Sequence, residues 1–194
     1  MPVRAVPEDI TAWLVDHDVV PARKVDVLFE ALYSDLRRRA RFALRSEHGS
    51  TLNTTGLVNE AYLRLVAADD VEIRNRGHFL ALASKTMRWV ILDSARARLR
   101  QRRGGDVQHL PLDEALVMTE DRAEEILTID AALARLNQVD PRLGDVVELR
   151  FFGGLSVEDT AEALDVSPRT VKRDWRKARA FLTREIAHES GADG

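Results

Sequence analysis

The stretch that most constrains this chain is Leu155–Leu182, LSVEDTAEALDVSPRTVKRDWRKARAFL. It reads as two helices joined by a three-residue turn. Ser156 can cap the first helix, and Asp159 three residues on completes a capping-box pattern. Ser167 can cap the second, and Pro168 suits its first turn, where a backbone N–H is not needed. Between them, Asp165 and Val166 must turn sharply. At ~100° per residue, Val171, Trp175, Ala178 and Leu182 share one face of the second helix, and Arg169, Lys172, Arg173 and Arg176 lie opposite. The apolar face holds the helix down. The basic face, with Thr170 at its start, suits a helix that reads a major groove, bonding phosphates or guanine edges. A solvated charged face is the plainer account of any charge run. A capped short helix, a tight turn and a capped basic helix in succession favour a helix-turn-helix.

Charge as a whole argues weakly the other way, since the 194 residues carry a net charge of −3. The distribution matters more, because positive charge concentrates in two helices and acids sit elsewhere. Hydrophobic residues make up 45% and charged residues 31%, the balance of a globular chain with a core. Cysteine is absent, which excludes disulfides and thiolate metal sites and fits a reducing compartment. No apolar run approaches a membrane span and the N-terminal stretch MPVRAVPEDITAW has no signal-peptide core, so a cytoplasmic protein without a membrane partner is expected.

Helical periodicity accounts for the rest. Ile10, Trp13 and Leu14 are compatible with a short helix before Pro21. Val25, Leu28, Phe29, Leu32, Tyr33, Leu36 and Ala40 predict a strong one, with Arg37, Arg38, Arg39 and Arg41 near its later turns, broken at His48-Gly49-Ser50. Leu57, Val58, Ala61, Tyr62 and Leu65 predict another, whose other face offers Asn59, Glu60, Leu63 and Arg64. A long third runs from about Gly77 to Arg103, with Phe79, Ala83, Met87, Val90, Ser94 and Ala97 toward the core. Trp89 lies off that stripe beside Lys85, Arg96 and Arg100. An aromatic among cations can stack on single-stranded bases, or it can simply cover the core edge and pair with an arginine. Spacing alone leaves both open.

Residues 104–124 change character: Gly104, Gly105 and Pro111 interrupt structure, and acids far outnumber Arg122. This segment is expected to be a mostly extended acidic linker, with a turn of helix around Leu112 to Val117. Helical spacing returns with Ile126, Ile129, Leu133 and Leu136, restarts at Asp140-Pro141 and ends at Gly153-Gly154. The fold class is therefore all-α: two small helical domains, 8–103 and 125–188, joined by an acidic linker at 104–124, the second carrying the helix-turn-helix. Two basic surfaces on a tether suit a protein that reads two separated DNA elements at once. Histidines 17, 48, 78, 109 and 188 show no ligand spacing, and no phosphate loop or strained nucleophile turn is evident. Neither an enzyme nor a metal, cofactor or small-molecule substrate is expected.

At this point two motif sets, in order, resemble a known family. VVELRFFGGLSVEDTAEALDVSPRTVKRDWRKARAFL is similar to the C-terminal promoter-binding domain of bacterial sigma factors. LVNEAYLRLV followed by GHFLALASKTMRWVILDSARARLR resembles their N-terminal promoter-melting domain. With only a linker between, the chain resembles the extracytoplasmic-function (ECF) group of the sigma-70 class over roughly residues 8–188. The resemblance implies that core RNA polymerase and promoter DNA are its partners. Arg169, Thr170, Lys172, Arg173 and Arg176 would read the −35 element as duplex. Lys85, Trp89, Arg96 and Arg100 would hold the unpaired −10 strand, where a base turned out of the stack costs a few kcal/mol that protein contacts must offset. Asn59, Glu60, Leu63 and Arg64 match the segment that docks on the polymerase β′ clamp helices, and the second domain would meet the β flap. The linker would pass near the RNA path.

Two positions depart from the family pattern. Asp165 stands where the family often has glycine; Asp tolerates a left-handed turn at a small cost. Where many members carry a run of acids before the clamp-binding helix, this chain has Asn53-Thr54-Thr55-Gly56. Phosphorylation at Thr51, Thr54 or Thr55, or at Ser50, would restore negative charge at a helix N-terminus, as in a branch of the family held to be kinase-controlled. The threonines otherwise serve as caps alone. A Ser/Thr kinase or an anti-sigma factor is thus an expected regulator. Competing with the whole account are a dimeric helix-turn-helix regulator of the response-regulator type and a helical adaptor that binds only protein.

Overall fold

The computed structural model describes residues 21–44, 51–68, 72–102 and 118–192, and all regular structure among them is helical. Pro21–Ala31 (α1) and Tyr33–Leu44 (α2) are nearly one helix. The Leu32 N–H still donates to Leu28 O and the Leu36 N–H to Leu32 O, both at 2.9 Å, so the chain bends there without losing its ladder. Thr51–Val66 (α3) begins earlier than periodicity predicts, so Asn53–Gly56 lie inside its first turns instead of ahead of it. Arg76–Arg102 (α4) matches the predicted long helix to within one residue. The short helix expected before Pro21, the break at 48–50 and the helical turn at 112–117 lie outside the described residues.

Helices α1 to α4 enclose one core of Val25, Leu28, Leu36, Leu57, Phe79 and Met87, with the Phe29 ring edge-on to Tyr62 at 5.0 Å and to Phe79 at 5.5 Å. Helix α5, Glu120–Val139, starts with Thr119 accepting a cap bond from the Arg122 N–H. Its two ends serve different cores. Ala123 and Ile126 pack into the first, whereas Leu133 and Leu136 join Leu143, Val147, Phe152 and Ala178 in the second. The domain boundary expected at residue 125 therefore falls inside a helix common to both halves.

After α5 the Asp140 side chain accepts from the Arg142 and Leu143 N–H groups and starts Pro141–Val147 (α6), as Asp-Pro predicts. A π turn over Glu148–Phe152 follows, closing at Gly153. Gly154 has φ 58°, a left-handed conformation that lets the chain double back under the Phe42 ring, which an added Cβ would meet at 2.9 Å. The last elements are Val157–Leu164 (α7) and Pro168–Ala192 (α8).

The halves do not hang apart. Ala81 of α4 is buried with Leu149 and Leu155, and Ala163 and Leu164 of α7 pack on them. Helix α4 thus buries side chains beyond the predicted stripe: Leu80, Ile91, Leu92 and Ala95 join Phe79, Ala83, Met87 and Val90 in the first core, and Ala81 faces the seam. A helix enclosed on two sides has no single apolar face to betray it. On one flank of this seam Arg39, only 2% exposed, donates to Asp159 Oδ2 at 3.0 Å and to the Gly153 carbonyl at 3.3 Å. Arg76 bridges Asp159 at 3.0 Å and Asp35 at 2.7 Å.

Burial pushes the Asp159 carboxyl up, but the hydrogen bond from Arg39, with Arg76 beside it, outweighs burial and holds it below the usual carboxylate range. A depressed folded pKa makes this contribution to stability fully present above the unfolded value of ~3.9. It is lost as pH falls through the folded value. Thermal melts taken from pH 7 down to pH 3 should show the parent losing stability more steeply below pH 4 than Asp159→Asn, which has no carboxylate to titrate there. Parallel curves would mean that Asp159 does not contribute in this way.

Candidate nucleic-acid interface

Two basic surfaces emerge. The first surrounds the N-terminus of α8. Ser167 Oγ accepts from the Thr170 N–H at 3.2 Å and meets Thr170 Oγ1 at 2.9 Å, so the predicted cap starts this helix. The first helix of the pair is capped likewise, Ser156 Oγ accepting from the Asp159 N–H at 2.9 Å. At the turn Asp165 takes φ 52° and ψ 49°, the left-handed conformation anticipated for it. Val166 N–H then bonds Ala161 O at 3.0 Å, closing α7.

Val171 and Ala178 are fully buried, and Trp175 and Leu182 are half-buried against the second core, which anchors α8 by its apolar face. Arg169, Lys172, Arg173 and Arg176 are exposed and Thr170 is half-buried. Together with Arg150, Ser167 and Trp175 they line a groove of about 850 Å³. Arg150 comes from the π turn and lies over the Trp175 ring at 5.2 Å. Periodicity did not single it out, because it belongs to a different element. Asp174 is the surprise within the basic helix. It is 1% exposed and accepts from Arg142 Nε at 2.8 Å and Arg173 Nε at 3.0 Å. Burial pushes its carboxyl up, but these two arginines, Arg173 first, hold it low. One acid thus orients Arg173 and ties α8 to α6.

The second surface runs along α4. Lys85, Trp89, Arg96 and Arg100 share one stripe, with Trp89 53% exposed and Arg100 exposed. Arg88 stands 6.0 Å from the Trp89 ring centroid, so the cation–π account of this tryptophan has a partner in place while about half of the residue still faces solvent. Lys85 Nζ meets Asp145 Oδ1 at 3.0 Å, and Arg96 Nη2 meets Asp130 Oδ2 at 3.4 Å. Burial lowers the Lys85 pKa, but the hydrogen bond to Asp145 and the charge of Glu148 more than reverse this.

On α3, Asn59 and Leu63 are exposed, Leu63 by 59%. Behind them Glu60 accepts from Arg64 Nε at 2.9 Å, and Arg64 Nη1 reaches Asp93 at 2.9 Å. The four residues nominated there form one surface patch. Thr54 is only 4% exposed and Thr55 is half-buried, whereas the Thr51 side chain lies outside the described residues.

A sequence model described as ECF sigma factor matches residues 7–188. The chain belongs to the ECF sigma factor family. The match spans both basic surfaces and nearly the whole chain, and it makes this protein a sigma factor, with core RNA polymerase and promoter DNA as the partners its family implies. No curated protein and no solved structure matches it. No helix among the described residues is long and apolar enough to cross a membrane.

Within this sigma factor, Asp165 is the one non-glycine residue with positive φ among those described. Asp165→Gly should relieve left-handed strain of roughly 1 kcal/mol, partly offset by the freer unfolded chain. A rise in thermal midpoint of ~1–3 °C is expected. A fall would show that the Asp side chain contributes more than its backbone costs.

Proposed function

We propose that this sigma factor grips a promoter at two points once it is bound to core polymerase, with α8 reading the −35 element as duplex and α4 holding the unpaired −10 strand. The observation that carries the proposal is the groove at the start of α8, where five cations converge around a capped helix N-terminus. There Arg169, Lys172 and Arg176 are exposed toward phosphates or base edges, Thr170 stands at the helix start, and Arg150 adds a cation from outside the helix. Asp174 holds Arg173 in one orientation, which favours a bidentate contact. On α4, exposed Trp89 among Lys85, Arg96 and Arg100 supplies a stacking face and backbone charges for a single strand. Asn59, Glu60, Leu63 and Arg64 present a small apolar spot ringed by polar groups, suited to docking on polymerase.

Control enters at the start of α3. A phosphate on Thr51 or Thr55 would sit in the first turns of this helix, where anions are favoured, and would supply the acidic charge missing from Asn53–Gly56. Thr54 is buried, so a kinase would reach it only after that turn unwinds. An anti-sigma factor that covers either surface would be the other route of control.

The decisive experiment is co-purification with core polymerase, then run-off transcription. Lys172→Glu/Arg173→Glu should keep polymerase association and lose at least ten-fold in promoter-specific transcripts, and the salt dependence of promoter binding should flatten by ~1 per phosphate contact removed. Unchanged transcription in that variant would remove α8 as the reading helix. Thr51→Ala/Thr54→Ala/Thr55→Ala protein that is as active as the parent, with and without kinase, would end the phosphorylation account.

A further inference from the structure

Two of the three cations on α4 that would hold the −10 strand, Lys85 and Arg96, already meet carboxylates from the C-terminal half, as does Arg88 beside them. Lys85 contacts Asp145 at 3.0 Å and Glu148 at 3.6 Å. Arg88 bonds Glu148 at 2.8 Å through one terminal nitrogen and Asp130 through the other. Arg96 meets Asp130 at 3.4 Å. These three acids come from α5, α6 and the π turn, so three successive elements each deliver one carboxylate to one stripe of α4. Arg88 and Glu148 have side chains only 10% and 11% exposed, which makes theirs a desolvated pair rather than a loose surface contact.

The seam is also closely fitted. A Cβ added at Gly153 would come within 2.6 Å of Ser84, and one at Gly77 within 3.1 Å of the Ala163 backbone nitrogen. This closed form cannot serve both promoter elements at once. A compact chain of this length spans ~40 Å. Elements centred about 25 base pairs apart are separated by ~85 Å at 3.4 Å per pair. The groove at α8 faces solvent, whereas the stripe on α4 is largely taken.

We propose that Asp130, Asp145 and Glu148 form a built-in competitor for the −10 strand. They stand where its phosphates would lie on Lys85, Arg88 and Arg96, and they keep the free protein closed until polymerase draws the halves apart. The inference rests on α4 being the strand-binding surface. It adds that free sigma factor is self-masked at −10 and open at −35, and that the mask is electrostatic.

Two variants open the seam by unrelated means. Asp130→Asn/Asp145→Asn/Glu148→Gln removes the competing charge and leaves Arg88 buried without an ionic partner. Gly77→Val wedges α7 away from α4 and changes no charge. The chain has no cysteine, so Glu30→Cys/Ala180→Cys, both at exposed positions, accept a pair of distance labels in full-length protein. Circular dichroism checks that each variant stays folded. Both variants should lengthen the label separation and bind a fluorescent single-stranded oligonucleotide at least ten-fold more tightly than the parent, and the gain should vanish when Trp89→Ala is added. Unchanged label separation in both folded variants overturns the proposal. So does opening without tighter binding; if Trp89-dependent binding persists in that case, the strand-binding surface itself stands. Absence of Trp89-dependent binding in every form sinks the surface and the mask together.

Discussion

Arg88 is the contact on which the arrangement of the two halves depends. A guanidinium on the buried side of α4 must find acceptors or draw in water. Its acceptors are Glu148 and Asp130, one from the π turn and one from α5, and its plane also lies 5.1 Å from the Phe152 ring. A single side chain of the N-terminal half thereby meets a carboxylate, a second carboxylate and an aromatic of the C-terminal half. Burying a charge this way contributes little net stability against a well-packed apolar alternative, but breaking one partner is expensive. It is a device for specifying one orientation.

The rest of the seam divides the labour. Ala81, Leu149 and Leu155 supply the area removed from water, and small side chains and glycines allow the backbones to approach closely. On the far flank Arg39, Arg76, Asp35 and Asp159 form a second polar set whose members are shared between α2, α4 and α7. Apolar contact sets how strongly the halves adhere, and the two polar flanks set the register. The partly exposed pairs of the seam, those of Arg76, Lys85 and Arg96, respond to salt and to competing anions, which apolar contact would not.

What could be read in the sequence follows from what is local. Both faces of α8, its Ser167 cap, the left-handed Asp165 and the Asp140-Pro141 restart were legible because each depends on residues within a turn or two. Where structure depends on partners distant in sequence, the chain was silent. Nothing in the spacing of α8 marks Asp174 for burial, because its partner Arg142 lies 32 residues earlier. Arg150 is likewise unmarked, because the Trp175 ring it lies over belongs to a later helix. The extra buried positions of α4 were hidden because two opposed apolar sides cancel in any test for a single face. The role of α5 was hidden for a related reason, since its one apolar stripe gives no sign that the two ends enter different cores.

The π turn over Glu148–Phe152 has a consequence for how insertions and deletions are tolerated. Within five residues the chain sends Glu148 to the seam, Phe152 to the second core and Arg150 to the groove by α8. A wide turn carries one residue more than an α-helical path of the same length, and that residue resets the angular phase of everything around it. Loss of a single residue here would rotate the flanking side chains by ~100° relative to one another. The seam carboxylate and the groove arginine could then no longer both point where they do. The segment behaves as a gear with a fixed tooth count.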